Sequence, residues 1–224
     1  MSTVLITGPT AGIGKSLADQ MAEKGHDLLL VARRENRLKE ISLELQEKYD
    51  VKVDYFVADL KDKNAPREIF NYSQTRNLDV SVLMLNAGYQ INTRLEDASL
   101  EDEEDCLRVL GISVIMLTKL FLNNLKKRGG GHIMVVSSMA AFAPPSGEFA
   151  VLYGPVKTFM NRFVEALNGA YNKYDIFATS ACPGFTVTEF HEVSGVQERM
   201  DKVPGYMKMS ADDVAKESIN GMLK

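Results

Sequence analysis

Apolar residues recur in two alternating rhythms along this chain. Short, nearly unbroken apolar runs such as Leu28-Leu29-Leu30-Val31 are followed by longer stretches whose apolar positions return every three or four residues. The first rhythm marks strands buried on both faces, the second amphipathic helices. Strands are predicted at 4–7, 28–32, 51–57, 80–85, 132–137 and 176–181. Helices are predicted at 13–24, 35–49, 65–75, 100–126, 153–174 and 210–223, the last with Ser210 as its N-cap. Alternation of β and α units predicts an α/β fold: a doubly wound parallel sheet in a three-layer αβα arrangement. Gly129-Gly130-Gly131 reads as a breaker between helix and strand. With no repeat or linker, the 224 residues are expected to form a single domain, 1–224.

Composition narrows the chemistry by exclusion. A net charge of −4 argues against nucleic acid as the main partner, because a phosphate-tracking surface needs excess positive charge. Cys106 and Cys182 show no metal-ligand spacing, and His26, His132 and His191 are scattered. The cysteines are expected as buried free thiols in a reducing compartment. The opening apolar run, Val4-Leu5-Ile6, is too short for a signal core or a membrane span, and no later stretch is long enough. The expectation is a cytoplasmic protein with no membrane partner.

The first strand leads into Thr7-Gly8-Pro9-Thr10-Ala11-Gly12-Ile13-Gly14, which opens the first helix. Gly8 permits a tight turn, Gly12 lets the backbone approach a pyrophosphate, and Gly14 lets the helix pack closely on the sheet. The helix N-terminus offers N–H groups to the phosphates. In dinucleotide-binding α/β folds a carboxylate after the second strand selects NAD, whereas an arginine accommodates the extra phosphate of NADP. Here that strand ends Val31-Ala32-Arg33-Arg34. Arg33 is the first candidate for that phosphate and Arg34 the second, with Lys15 as added charge. NADP(H) is the expected cofactor.

Tyr153-Gly154-Pro155-Val156-Lys157 places a phenol and an ammonium four residues apart, on one helix face. Pro155 requires the helix to begin about there. A phenol titrates near 10, and a neighbouring ammonium favours its ionised form. Tyr153 is therefore the candidate proton donor or acceptor, and Lys157 its supporting cation.

Together these motifs resemble the short-chain dehydrogenase/reductase family of NADP-preferring type, from Thr7 to the last helix. The first turn matches its T-G-x-x-x-G-x-G, and Asn86-Ala87-Gly88 matches its N-A-G. The resemblance implies hydride transfer between NADP(H) and a carbonyl or secondary alcohol. It gives Ser138 the substrate oxygen, Tyr153 the proton, and Lys157 both the phenol and the nicotinamide ribose. It assigns Asp59, beside Leu60, to the adenine edge and Asn86, Ala87 and Gly88 to the cofactor wall. Pro183-Gly184-Phe185-Thr186-Val187-Thr188 would clamp the nicotinamide, with Thr10 and Ile13 completing the phosphate cradle. Residues 189–209 resemble a substrate lid, with Phe185, Phe190, His191, Met200, Tyr206 and Met207 as pocket candidates. Homodimers or homotetramers are implied, built through the helices at 100–126 and 153–174.

The sequence departs from the pattern in three places. Ser138 and Tyr153 are two residues farther apart than the family commonly has them, with Ala140 at the usual position and Ser146 as a substitute. The family's helix asparagine falls at Leu110 or its neighbour, and neither Val109, Leu110 nor Gly111 is an amide, so the resemblance implies a proton relay that is altered, slow or lost. A catalytically weak NADP-binding sensor or scaffold is the competing expectation. Third, the resemblance implies a seventh strand after the last helix. Two alternatives stay open there: a six-stranded sheet, or a tail this sequence does not contain.

Overall fold

A computed structural model describes residues 2–144, 150–189 and 200–223. Its strands are β1 (Thr3–Thr7), β2 (Asp27–Ala32), β3 (Val53–Val57), β4 (Val80–Leu85), β5 (Gly131–Val136), β6 (Ile176–Ala181), β7 (Phe185–Val187) and β8 (Lys208–Ser210). Its helices are α1 (Gly12–Glu23), α2 (Glu35–Tyr49), α3 (Ala65–Thr75), α4 (Leu100–Leu107), α5 (Ser113–Arg128), α6 (Tyr153–Tyr171) and α7 (Ala211–Met222). The first six strands form one parallel sheet in the order β3-β2-β1-β4-β5-β6, while β7 and β8 pair in a small parallel ribbon. The order reverses between β1 and β4, and the crevice outside their carboxyl ends is where such sheets bind ligands.

The unbroken apolar strands have the predicted cause. Successive side chains alternate between two cores, one on each face. Leu5, Leu29, Leu83 and Ile133 pack with Ile69, Phe121 and Met160 of α3, α5 and α6. Val4, Leu28, Met84 and Met134 pack on the other face with Leu17, Leu38 and Ile219 of α1, α2 and α7. This is the Rossmann-like three-layer arrangement. Ser210 caps α7, its hydroxyl accepting from the Asp213 N–H at 3.0 Å. No helix among the described residues is long and apolar enough to cross a membrane.

Three local features differ from the expectations. The helix expected over 100–126 is two helices joined by a π-turn at Arg108–Ile112. The carboxyl end of the helix expected to 174 tightens into a 3₁₀ turn, Asn172–Tyr174. Cys106 is buried as expected, but Cys182 is only partly so.

β6 is the sheet's edge, and the amide side chains of α6 and the turn after it cover part of that edge. Asn168 Oδ1 accepts from Ala178 N at 2.7 Å and its Nδ2 donates to Ala178 O at 2.8 Å. The Asn172 amide, with its nitrogen toward the strand, donates to Ile176 O at 3.1 Å. Unpaired edge groups would otherwise template another strand.

Candidate active site

A cleft of about 510 Å³ opens at the carboxyl ends of β1 and β4. Its floor is the glycine turn. A Cβ at Gly14 would overlap the Gly8 carbonyl oxygen, so only glycine lets α1 start this close to the turn. Gly12 has φ +51°, and a Cβ there would sit 2.9 Å from Thr188. The turn is tied to the sheet by Asn86, whose Nδ2 donates to Thr7 O at 3.0 Å and to Gly8 O at 3.1 Å. Thr7 Oγ1 in return accepts from the N–H groups of Asn86 and Ala87. These bonds preorganise a concave backbone surface at a helix N-terminus, the physical requirement for a pyrophosphate.

The cleft is lined by Gly8, Thr10, Gly12, Ile13, Gly14, Arg33, Arg34, Asp59, Leu60, Asn86, Ala87, Gly88, Lys157, Pro183, Gly184, Thr186 and Thr188. Of the residues the sequence suggested for the cofactor, Tyr153, Lys15, Phe185 and Val187 are absent from that wall. Lys61, Tyr89, Val109 and Glu189 also line it and were not anticipated. Lys61 pairs with Asp105 at 3.2 Å and lies over the Tyr89 ring.

The cations at the cleft mouth are engaged. Arg34 directs Nε and Nη2 at Thr10 Oγ1, at 3.2 and 2.8 Å, and Nη1 at Glu189 at 3.2 Å. Arg33 Nη1 lies 3.8 Å from Asp59 and its side chain is 62% exposed. Lys15 faces away from that role, pairing with Glu44 at 3.6 Å.

At the other end of the cleft, Ser138 follows β5 and Tyr153 opens α6. Pro155 sits in the first turn of α6, as its missing N–H requires. The longer spacing does not separate the pair: the Tyr153 phenol hydrogen-bonds to the Ser138 hydroxyl. Ser146 lies outside the described residues. Lys157 is 5% exposed and donates to Val136 O at 2.8 Å, with Nζ 5.5 Å from the Tyr153 ring centroid. Ser137 Oγ, donating to Lys157 O at 3.1 Å, ties that turn of α6 to β5.

Burial dominates both titrations. It pushes the Tyr153 phenol up to about 12, partly opposed by the Ser138 hydrogen bond. It pulls the Lys157 ammonium down to about 8. The expectation that Lys157 lowers the Tyr153 pKa is therefore not met: burial, not the ammonium, sets the direction of the shift. Lys157 spends a proton on the Val136 carbonyl, and desolvation of the phenol wins.

The sequence model of the family described as short chain dehydrogenase matches residues 2–199. The chain belongs to that family. It is 27% identical to the very-long-chain 3-oxoacyl-CoA reductase of Rattus norvegicus, over 96% of this chain and 66% of that protein. For the Macaca fascicularis reductase the match is 27%, over 84% and 61%. The chain thus spans less than two thirds of these relatives' length. Among solved structures, a short-chain dehydrogenase from Sphingobium yanoikuyae in complex with NADPH superposes with a TM-score of 0.91 at 26% identity, covering 99% of this chain and 84% of that one. An alcohol dehydrogenase from the archaeon Thermococcus sibiricus, complexed with 5-hydroxy-NADP, gives 0.83 at 27% identity, covering 97% and 88%.

Within this short-chain dehydrogenase, the place expected for the helix asparagine is occupied by Leu110, in the π-turn. The widened turn brings Val109 to the cleft wall and sets Leu110 against Gly88, where a Cβ would be 2.8 Å from Leu110 Cδ2 and 3.9 Å from Lys157 Nζ. Ser113 Oγ takes up the Val109 carbonyl at 2.8 Å. Leu110, Cys106 and Val156 form an apolar cluster against which Tyr153 and Tyr89 pack. Of the expected lid candidates, Met200 is buried and Tyr206 is 88% exposed, while Phe185 and Met207 are both exposed. Phe190 and His191 lie outside the described residues.

Proposed function

We propose that this protein is an NADP(H)-dependent reductase or dehydrogenase acting on a small-molecule carbonyl or secondary alcohol. The observation that carries the reading is one cleft lined by the glycine cradle and two arginines at one end and by Ser138 and Lys157 at the other, with Tyr153 beside them on α6. The cradle fits a dinucleotide: the turn is close-packed around its glycines, a Cβ at Gly14 overlapping the Gly8 carbonyl oxygen and one at Gly12 crowding the Thr188 side chain. A bound nicotinamide supplies, or takes up, the hydride at the carbonyl carbon.

The chain's own residues then supply the proton and the orientation. Ser138 holds the substrate oxygen beside Tyr153. Tyr153 donates its proton to that oxygen in reduction and takes one back in oxidation. A phenol held near 12 is protonated at neutral pH, which is the state reduction needs. Lys157 adds positive charge as phenolate develops and holds the nicotinamide ribose. The preference for NADP rests on Arg33 and Arg34, with no carboxylate between them and β2. The reading includes a homodimer or homotetramer packed through α5 and α6, supported by Phe159, exposed on α6, and tested by light scattering.

The test is NADPH oxidation with a panel of ketones and aldehydes, read at the nicotinamide absorbance. Turnover is expected with NADPH and lost in Tyr153→Phe, with NADPH affinity unchanged. Comparable turnover with NADH refutes the cofactor preference. Undiminished turnover in Tyr153→Phe refutes the mechanism.

A second reading is an NADP-binding sensor or scaffold with weak turnover. It is favoured by Leu110 packed beside Gly88 and by Lys157 directed at the Val136 carbonyl. NADPH binding without turnover across the panel would select it.

A further inference from the structure

Two consecutive residues after β7 reach back over the glycine turn. Thr188 packs against Gly12, and Glu189 accepts from Arg34, which itself grips Thr10 in that turn. The contact joins the two lips of the cleft. It also changes the charge of the site. The sequence offers two cations at the end of β2, but each faces a carboxylate: Arg33 faces Asp59 and Arg34 faces Glu189. The local sum is near zero instead of +2.

We infer that Glu189 is a specificity-determining residue, competing with the 2′-phosphate of NADP for Arg34 and so setting how strongly the protein prefers NADP over NAD. The inference rests on the cofactor reading above. Arg34 carries five N–H donors on three nitrogens, and each nitrogen already has a partner. Thr10 Oγ1 takes two, Nε and Nη2, and Glu189 takes the third through Nη1. A phosphate dianion arriving at the end of β2 must either displace Glu189 or share the guanidinium with it. Sharing puts like charges against one another, so both routes make Glu189 cost affinity. NAD carries a neutral hydroxyl there and meets neither penalty. The Arg34 and Glu189 side chains are 49% and 48% exposed, so the competition is that of a solvent-exposed ion pair and is screened by salt.

The experiment measures dissociation constants of NADPH and NADH for the purified chain, by calorimetric titration at low and high salt, in the native protein and Glu189→Gln. The glutamine keeps the size of the side chain and removes its charge. NADPH is expected to tighten by about two- to fivefold, with a smaller gain at high salt and no change for NADH. Equal shifts for both nucleotides, no shift, or weaker NADPH binding would overturn the assignment of Glu189. The native protein is measured first and serves as a separate control. If it binds NADPH no tighter than NADH, the cofactor reading itself fails, and the role of Glu189 falls with it.

Discussion

Lys157 offers a direct test of how far burial governs the site. Its ammonium is enclosed, and its pKa is pulled from 10.5 to about 8 by desolvation. In the unfolded chain the group titrates at its ordinary value. Between about pH 8 and 10.5 the unfolded state therefore holds more protons than the folded state, and stability rises with pH in that window. The sign is opposite to that of a lysine stabilised by a carboxylate. Each unit of pKa difference corresponds to about 1.4 kcal/mol. Integrating the two titration curves gives the native protein about 1 kcal/mol between pH 7 and 9 from this residue alone. Lys157→Met keeps an unbranched chain of similar reach and removes the titration. Urea unfolding of the ligand-free protein and this variant at pH 7, 8 and 9 isolates the effect, since the other groups titrate in both. The stability difference between native and variant should move toward the native protein by about 1 kcal/mol over that range. A difference that stays flat would mean that Lys157 keeps an ordinary pKa, and the reasoning from burial would be wrong.

Restoring an amide at the π-turn, Leu110→Asn, is expected to raise steady-state turnover several-fold if resupply of protons to Tyr153 and Lys157 is the damaged step; unchanged turnover in a folded variant counts against that. Asn168→Ala removes both side-chain bonds to Ala178 and should cost about 1–2 kcal/mol in urea unfolding. Unaltered stability would show that water replaces the amide at the β6 edge without loss.

Much of the architecture was legible because its causes are local. Leu28-Leu29-Leu30-Val31 can only be a strand covered on both faces, and Ser210 ahead of two acidic residues is a helix start. The π-turn was not legible. Val109-Leu110-Gly111-Ile112 is apolar without a break, so the helical rhythm continues through the inserted residue and the pattern shows no phase change. The charges at the cleft mouth were hidden for a different reason. Arg33 and Arg34 read as two open cations, whereas the partner of Arg34 stands 155 positions away. Proximity of that kind is created by the fold. The sign of the Tyr153 shift was also out of reach. Four-residue spacing shows that a lysine is near, but not that its proton is directed at the Val136 carbonyl.

The two ends of the cleft differ in how much they depend on what binds. At the cradle, the Asn86 bonds to Thr7 and Gly8 fix the backbone surface from within the protein. Around Tyr153 and Lys157, desolvation disfavours phenolate and ammonium alike, so the phenol is held protonated at neutral pH. In the proposed reduction, that phenol gives one proton to a nascent alkoxide. The phenolate left behind then lies near Lys157, and the attraction between opposite charges in a dry site stabilises both ionised forms. On the proposed mechanism the lysine therefore acts after the proton leaves, once the phenolate has formed. The proton must still be replaced for the next cycle. Leu110, Cys106 and Val156 form an apolar wall beside Tyr153, and on the proposed mechanism Leu110 stands where an amide would help to carry the replacement proton. On the proposed mechanism donation rests on Tyr153 and resupply on the wall at Leu110, so the Leu110→Asn variant separates the two.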